Sequence, residues 1–255
     1  MKTLLYLVSL ICCTALLFLS CSKTDDRPTE NLSGSTCSAI TTTCGNTNNL
    51  ANIPSAYLAA LTKYTTVNST YTINVCTEDS NGDGSADYMV VESSNRPEHK
   101  SYYWQATNSF YEAFDFATNI YKYAATVLTT GYTDSPHPAG TNMIIEQCIT
   151  MKLPISPAEA SAKSNTDYST IGLALNGVSF FNENAAPGDE ITNELFTFDQ
   201  CSGHPQRSGV YHYHVDPVCL IKDLGGSITE NSTTVGGTTY SWIEDNGTNG
   251  GLLLG

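Results

Sequence analysis

Four short stretches carry the chain's clearest pattern of apolar and polar positions. "TYTINV" (70–75) alternates, and "EQCITMKLPI" (146–155) sets Cys148, Thr150 and Lys152 against Ile149, Met151 and Leu153. "ADYMVVES" (86–93) is β-branched and aromatic, and "GVYHYHV" (209–215) sets Val210, His212 and His214 against Tyr211, Tyr213 and Val215. Period-two alternation in short runs, separated by Gly, Pro, Asn and Asp clusters, predicts strands. The expected class is mainly β, an antiparallel sheet domain of sandwich or jelly-roll type with long loops. One minor helix is expected over 53–64, "IPSAYLAALTKY". Pro54 suits a first helical position there, and Ile53, Tyr57, Leu58 and Leu61 recur at helical spacing. Residues 106–130 fit either a helix or irregular loops.

The N-terminal end departs from this pattern. Lys2 precedes an apolar run from Leu4 to Leu19, and Cys21 follows Phe18-Leu19-Ser20. This resembles a bacterial lipoprotein signal, with residues 1–20 removed and Cys21 lipidated. An ordinary signal peptide or an uncleaved anchor is the alternative, but the run is short for a ~30 Å hydrocarbon core. Residues 21–50 are rich in Ser, Thr, Asn, Asp and Gly, a composition that cannot offset the entropy of ordering, and read as a flexible tether. The expected location is extracytoplasmic, lipid-anchored in the bacterial cell envelope, at the outer membrane or cell surface. Residues 51–255 are then one β domain.

Charge narrows the partners. Eleven basic residues stand against 25 acidic ones, for a net charge of −14, which argues against nucleic acid or anionic lipid as a binding surface. The membrane partner is reached through the anchor; a small molecule, glycan or protein ligand remains open.

Of nine cysteines, Cys12 and Cys13 belong to the signal and Cys21 to the lipid, leaving six. An even number in an exported chain predicts three disulfides. Six cysteines allow fifteen connectivities. Local closure favours Cys37–Cys44 and Cys201–Cys219, with Cys76–Cys148 by elimination. No C-x-x-C spacing supports a Cys/His zinc cluster.

Between two expected strands, "DSNGDGSAD" (79–87) puts Asp79, Asn81, Asp83 and Asp87 at positions 1, 3, 5 and 9 of a calcium loop, with Gly84 at the turn. Val90 stands at the twelfth position, so the loop is not an EF-hand. A structural calcium ion and a plain hairpin turn are both compatible with it.

The chemistry concentrates at "GHPQRSGVYHYHVDP" (203–217), which holds three of the five histidines. Residues i and i+2 on a strand share a face, so His212 and His214 point together while Tyr211 and Tyr213 point into the core. Two imidazoles at that spacing can meet one zinc or copper ion, with His204 as the third ligand. Asp199 and Asp216 flank the stretch and could orient an imidazole through its second nitrogen. The bland alternative is a polar face on a half-buried strand. His137, in "DSPHP", suggests only a solvent loop.

"DQCSGHPQRSGVYHYHVDPVC" (199–219) resembles the signature of the YHYH protein family. "IGLALNGVSFFNENA" (171–185) is similar to that family's A-L-N-G-V segment, and "SSNRPEHKSYYW" (93–104) to its N-x-x-P-x-H segment. The resemblance implies a secreted bacterial domain and adds His99 as a fourth candidate ligand. It also implies a Gly-aromatic-x-x-Asp-Gly-Phe-Pro continuation. Together with the closing "GTNGGLLLG", a partial echo of "GLALNG", this leads to the expectation that the domain is truncated at its C-terminus. Two functions remain open: an enzymatic or redox metal site, and a non-catalytic surface module binding glycan or a host protein, in which metal and disulfides are structural. No serine of the G-x-S-x-G type is present to act as nucleophile.

Overall fold

The computed structural model describes residues 55, 59, 73–115, 117–118, 142–166, 168–187, 191–246 and 253–254. The signal and Cys21, the tether, the Cys37–Cys44 pair and His137 lie outside the described residues. Of the helix expected over 53–64 only Ser55 and Ala59 are described, and both are helical.

Strand β1 (Ile73–Glu78) pairs antiparallel with β2 (Tyr88–Ser93), which pairs with β3 (Ile149–Pro154). The sequence pattern explains the layering. β2, the uninterrupted apolar run, is the buried middle strand, whereas β3 alternates half-buried and exposed positions along its length. The loop joining β1 to β2 turns its acidic oxygens onto its own backbone. Asp79 accepts from the amides of Gly82 and Gly84, Asn81 from Asp83 N–H, and Asp83 from Ser85 N–H. Asp87 accepts from both the amide and hydroxyl of Ser80. These are the self-capping bonds of Asx turns. Residues 106–115 form turns and a single bridge between Ser101 and Tyr111, not a helix.

A second sheet has the order β10-β4-β5-β7-β6, built from β4 (Gly172–Ala174), β5 (Ser179–Phe180), β6 (Gly203–Pro205), β7 (Tyr211–Tyr213) and β10 (Leu253–Leu254). Its pairs are antiparallel except β5 with β7, which are parallel, so the sheet is mixed. The two Gly-Leu-rich segments noted in the sequence pair with each other, Leu253 opposite Ala174 and Leu254 opposite Leu173. Two short helices follow, α1 (Ile191–Glu194), continued by a 3₁₀ turn (Leu195–Thr197), and α2 (Val218–Asp223). Strands β8 (Ile228–Val235) and β9 (Thr238–Asp245) form a separate hairpin. The fold is mainly β with very little helix. Among the described residues no helix is long and apolar enough to cross a membrane.

Two asparagines and a glycine tie the sheets together. Asn95, buried with φ of 54°, donates to Tyr211 O and accepts from Ser179 N–H, so one side chain clamps β5 to β7. Asn tolerates this left-handed backbone because its short polar side chain bonds locally. Asn176 donates to the hydroxyl of Tyr213 and to the buried carboxyl of Glu98. Gly177 has φ of +77°, and a Cβ there would meet Ser93 Oγ at 2.2 Å. Ser93 instead donates to the Gly177 carbonyl. These residues belong to the segments that carried the family resemblance, and their work is to hold the sheet.

The disulfide framework corrects one expectation. Cys201–Cys219 is present, with Cα atoms 5.1 Å apart. Cys76 and Cys148 are each disulfide-bonded, and the strand register keeps the two apart. Cys76 stands opposite Val90, and Val90 opposite Lys152, so two strand spacings and four further residues separate it from Cys148. Two spacings alone are roughly 10 Å, beyond the ~7 Å Cα limit for a disulfide.

Candidate metal centre

The register of β6 and β7 builds the cluster. His204 lies directly opposite His212, with Gly203 opposite Tyr213 and Pro205 opposite Tyr211. The connecting turn is closed by Gln206 N–H to Val210 O and Gly209 N–H to Gln206 O. Directly opposed residues on an antiparallel pair share a face with Cβ atoms about 5 Å apart, and the i+2 relationship adds His214 to that face. Tyr211 and Tyr213 point the other way and are fully buried in the core. The strands meet closely because residue 203 is glycine: a Cβ there would stand 2.6 Å from Tyr211 Cζ and Oη.

Each imidazole is held by its Nδ1. His212 Nδ1–H donates to Val210 O at 3.1 Å, and His214 Nδ1–H to Asn182 O at 2.6 Å. His204 Nδ1 meets Thr197 Oγ1 at 2.5 Å, and Thr197 gives its only hydroxyl proton to Glu194 O. The threonine oxygen can then only accept, so His204 Nδ1 carries the hydrogen as well. All three rings share one tautomer, leaving three bare Nε2 lone pairs on one point. His204 Nε2 and His212 Nε2 are 3.1 Å apart, His212 Nε2 and His214 Nε2 are 3.0 Å apart, and the three nitrogens lie within 4.8 Å of one another. A tetrahedral ion with ligands at ~2.0–2.1 Å sets them roughly 3.3 Å apart. Two of the three separations lie within about 0.3 Å of that spacing.

Protonation is a poor substitute for a metal here. Burial, followed by the nearby His212 and His214, holds His204 well below the usual histidine range. Burial and then His214 push His212 down to about 3. Phe181 stacks on the His212 ring, centroids 4.0 Å apart and 23° from parallel, and keeps water off that face.

A carboxylate unclaimed in the sequence completes the surroundings. Glu194, from α1, places Oε2 at 3.7 Å from Nε2 of both His204 and His214. The cluster forms the floor of a cavity of about 450 Å³, whose walls include Tyr103, Asn142, Phe181, Gln206 and Arg207. Tyr168, 56% exposed, also lines it.

His99 and the two flanking aspartates are elsewhere. His99 Nε2 bonds to Asp199 Oδ2 at 2.9 Å and the ring packs edge-on against Tyr211. Tyr211 projects from the opposite face of β7 to His212, so His99 cannot join the three-histidine cluster. Asp199, fully buried, also accepts from Ser101 Oγ, Tyr211 Oη and Cys201 N–H. It orients His99 and Tyr211, not a cluster histidine. Asp216 is exposed, and the acceptors at the three Nδ1 atoms are Thr197, Val210 O and Asn182 O. Asp79, Asp83 and Asp87 are not among the groups of three candidate ligands that the described residues bring within 4.8 Å.

A mainly β domain with three imidazoles converging beneath an open cavity defines the class structurally. Residues 150–239 match the model of the YHYH protein family. That span runs from β3 into β9 and contains the three histidines together with Glu194 and Thr197, so over these residues the chain is similar to the YHYH family. Neither curated proteins nor solved structures give a match.

Proposed function

We propose that this domain binds one transition-metal ion, zinc or copper, through Nε2 of His204, His212 and His214, and presents it to a small ligand in the cavity. The observation that carries the reading is convergence: the three Nε2 atoms lie within 4.8 Å of one another while each Nδ1 faces an oxygen of Thr197, Val210 or Asn182, an arrangement that turns the Nε2 lone pairs on one point. A cation relieves the repulsion among them, and second-nitrogen bonds of this kind are what orient metal-ligating histidines. Imidazole suits either metal. Bound zinc with an open position supplies an activated water near neutral pH. Glu194 is within reach of a proton on a group held there. The proposal extends to an exported chain, lipid-anchored through Cys21 in the bacterial envelope, as its N-terminal sequence suggests.

A second reading rests on the same carboxylate. If Glu194 closes the shell as a fourth ligand, the metal is structural, and the domain is a non-catalytic module binding glycan or protein. The test is metal content and affinity of purified protein. His212→Ala/His214→Ala should lose stoichiometric metal, and full retention overturns the site. Glu194→Ala keeps its affinity within about tenfold under the open-site reading. It loses affinity as the histidine variants do under the closed one.

A further inference from the structure

On the opposite face of β7 lies a second cluster, formed by His99, Asp199 and the disulfide. One ring nitrogen of His99 lies within 4.8 Å of both Cys201 Sγ and Cys219 Sγ. The two sulfurs differ in access: Cys219, on α2, is half-buried, while Cys201 is fully buried. His99 is itself partly open to solvent, with 11% of its side chain exposed.

We propose that Cys201–Cys219 is a thiol–disulfide exchange site, with small thiols or exposed protein thiols as its substrates and His99 as the residue that stabilises the departing thiolate. The argument rests on orphaned donors. His99 gives Nε2–H to Asp199, and its Nδ1 is buried with no hydrogen-bond partner. Ser202, next to Cys201 in the chain and held at φ of 73°, has a buried hydroxyl that also lacks a partner. A buried donor without an acceptor costs roughly 1–3 kcal/mol. A disulfide sulfur is a weak acceptor, whereas a thiolate is a strong, charged one. With a His99 ring nitrogen within 4.8 Å of both sulfurs, opening the bond puts a strong, charged acceptor beside that ring that the closed disulfide does not offer, which is the condition for lowering the barrier of the reaction.

The charge of His99 points the same way. Burial alone pushes it down, but the charge and hydrogen bond of Asp199, with Glu98 and Glu112 beyond, outweigh burial and raise it. A cationic imidazole beside a sulfur favours the thiolate.

The exchange balances in two steps. An external thiolate attacks the accessible Cys219 Sγ; the Cys201–Cys219 bond breaks, a mixed disulfide forms, and the electron pair leaves on Cys201 Sγ beside His99, which gives it a proton. A second external thiol then attacks the mixed disulfide. It releases Cys219 as a thiol and leaves the external pair oxidised, so two electrons pass to the chain. None of this depends on the three-histidine cluster.

The test uses the oxidised full chain and glutathione. After graded exposure, trapped thiols and mixed disulfides are mapped by alkylation and mass spectrometry. Cys201–Cys219 should open before the bonds of Cys76 and Cys148, with glutathione captured on Cys219. In His99→Gln its opening should slow by about tenfold while the other bonds keep their rates. The proposal is overturned if this bond opens no earlier than the others, if glutathione is found on Cys201, or if His99→Gln exchanges at the wild-type rate. Should His99→Gln fail to fold, the order of opening and the site of capture in the wild-type chain still decide it.

Discussion

Thr197 accepts the Nδ1 hydrogen of His204 because its own proton is given to the carbonyl of Glu194. One hydroxyl thus fixes both the tautomer of a ligand and its distance from the turn that carries Glu194. Thr197→Val keeps the shape and removes the acceptor, leaving a buried N–H unsatisfied. Loss of such a partner costs about 10–100-fold in metal affinity. Competition titration against a chelator should show that loss, with Thr197→Ser close to wild type. Equal affinity in Thr197→Val would mean the tautomer is set by something else.

Acid should destabilise the metal-free fold early. His204 and His212 are depressed in the folded state, the latter to about 3, from an ordinary value of 6.5. The unfolded chain then binds more protons than the folded one below that value, so their contribution is intact above about pH 6.5 and lost as pH falls toward 3. Each group imposes at most about 1.4 kcal/mol per pH unit. His99 is raised and works in the other direction: its contribution is fully present below 6.5 and fades as pH rises. Denaturant midpoints of metal-free protein should fall between pH 7 and 5, before most carboxylates titrate. They should fall less in His204→Gln/His212→Gln. A level profile in the wild type contradicts the burial argument.

Asp199→Ala should strike stability, not metal. The carboxylate serves His99, Ser101, Tyr211 and the amide of Cys201, and its removal strands all four in a buried site. A loss of about 3–5 kcal/mol is expected in chemical denaturation. Metal content per folded molecule should stay at wild-type stoichiometry. A variant of native stability that has lost its metal would return Asp199 to the role that its sequence position suggested.

Gly203→Ala asks whether the close approach of β6 and β7 matters. Its Cβ would meet the Tyr211 ring, which is pinned by Asp199 and has no free end to swing aside. Overpacking of this kind costs about 1–3 kcal/mol and displaces His204 with its strand. Weaker metal binding together with reduced stability is the expected pair of outcomes; unchanged values of both would show that the strands yield easily.

The histidine cluster was legible because strand geometry is periodic. The H-x-H spacing and a hairpin closed by two cysteines suffice to bring residues 204, 212 and 214 to one face. Glu194 and Thr197 were not, since they sit in a helix and turn of only seven residues, too short for periodicity to show. Nor could Val210 O and Asn182 O be found, because backbone acceptors leave no mark on residue type. His99 misled for the reverse reason: its type fitted the site, but only the fold shows which face of β7 it meets. Cys76–Cys148 failed because pairing by elimination carries no distance. Asn95 and Asn176 look like surface polar residues in a sequence, yet both are buried clamps.

The bond between Cys201 and Cys219 closes a ring that contains every one of the three clustered imidazoles. The three imidazoles therefore sit in a covalently closed ring. In a reduced chain the histidines belong to an open segment. Closing a loop of this length removes about 3 kcal/mol of disorder from the unfolded chain, depending on the entropic model. Under the proposed function, a reduced chain should therefore hold its ion less tightly than the oxidised one.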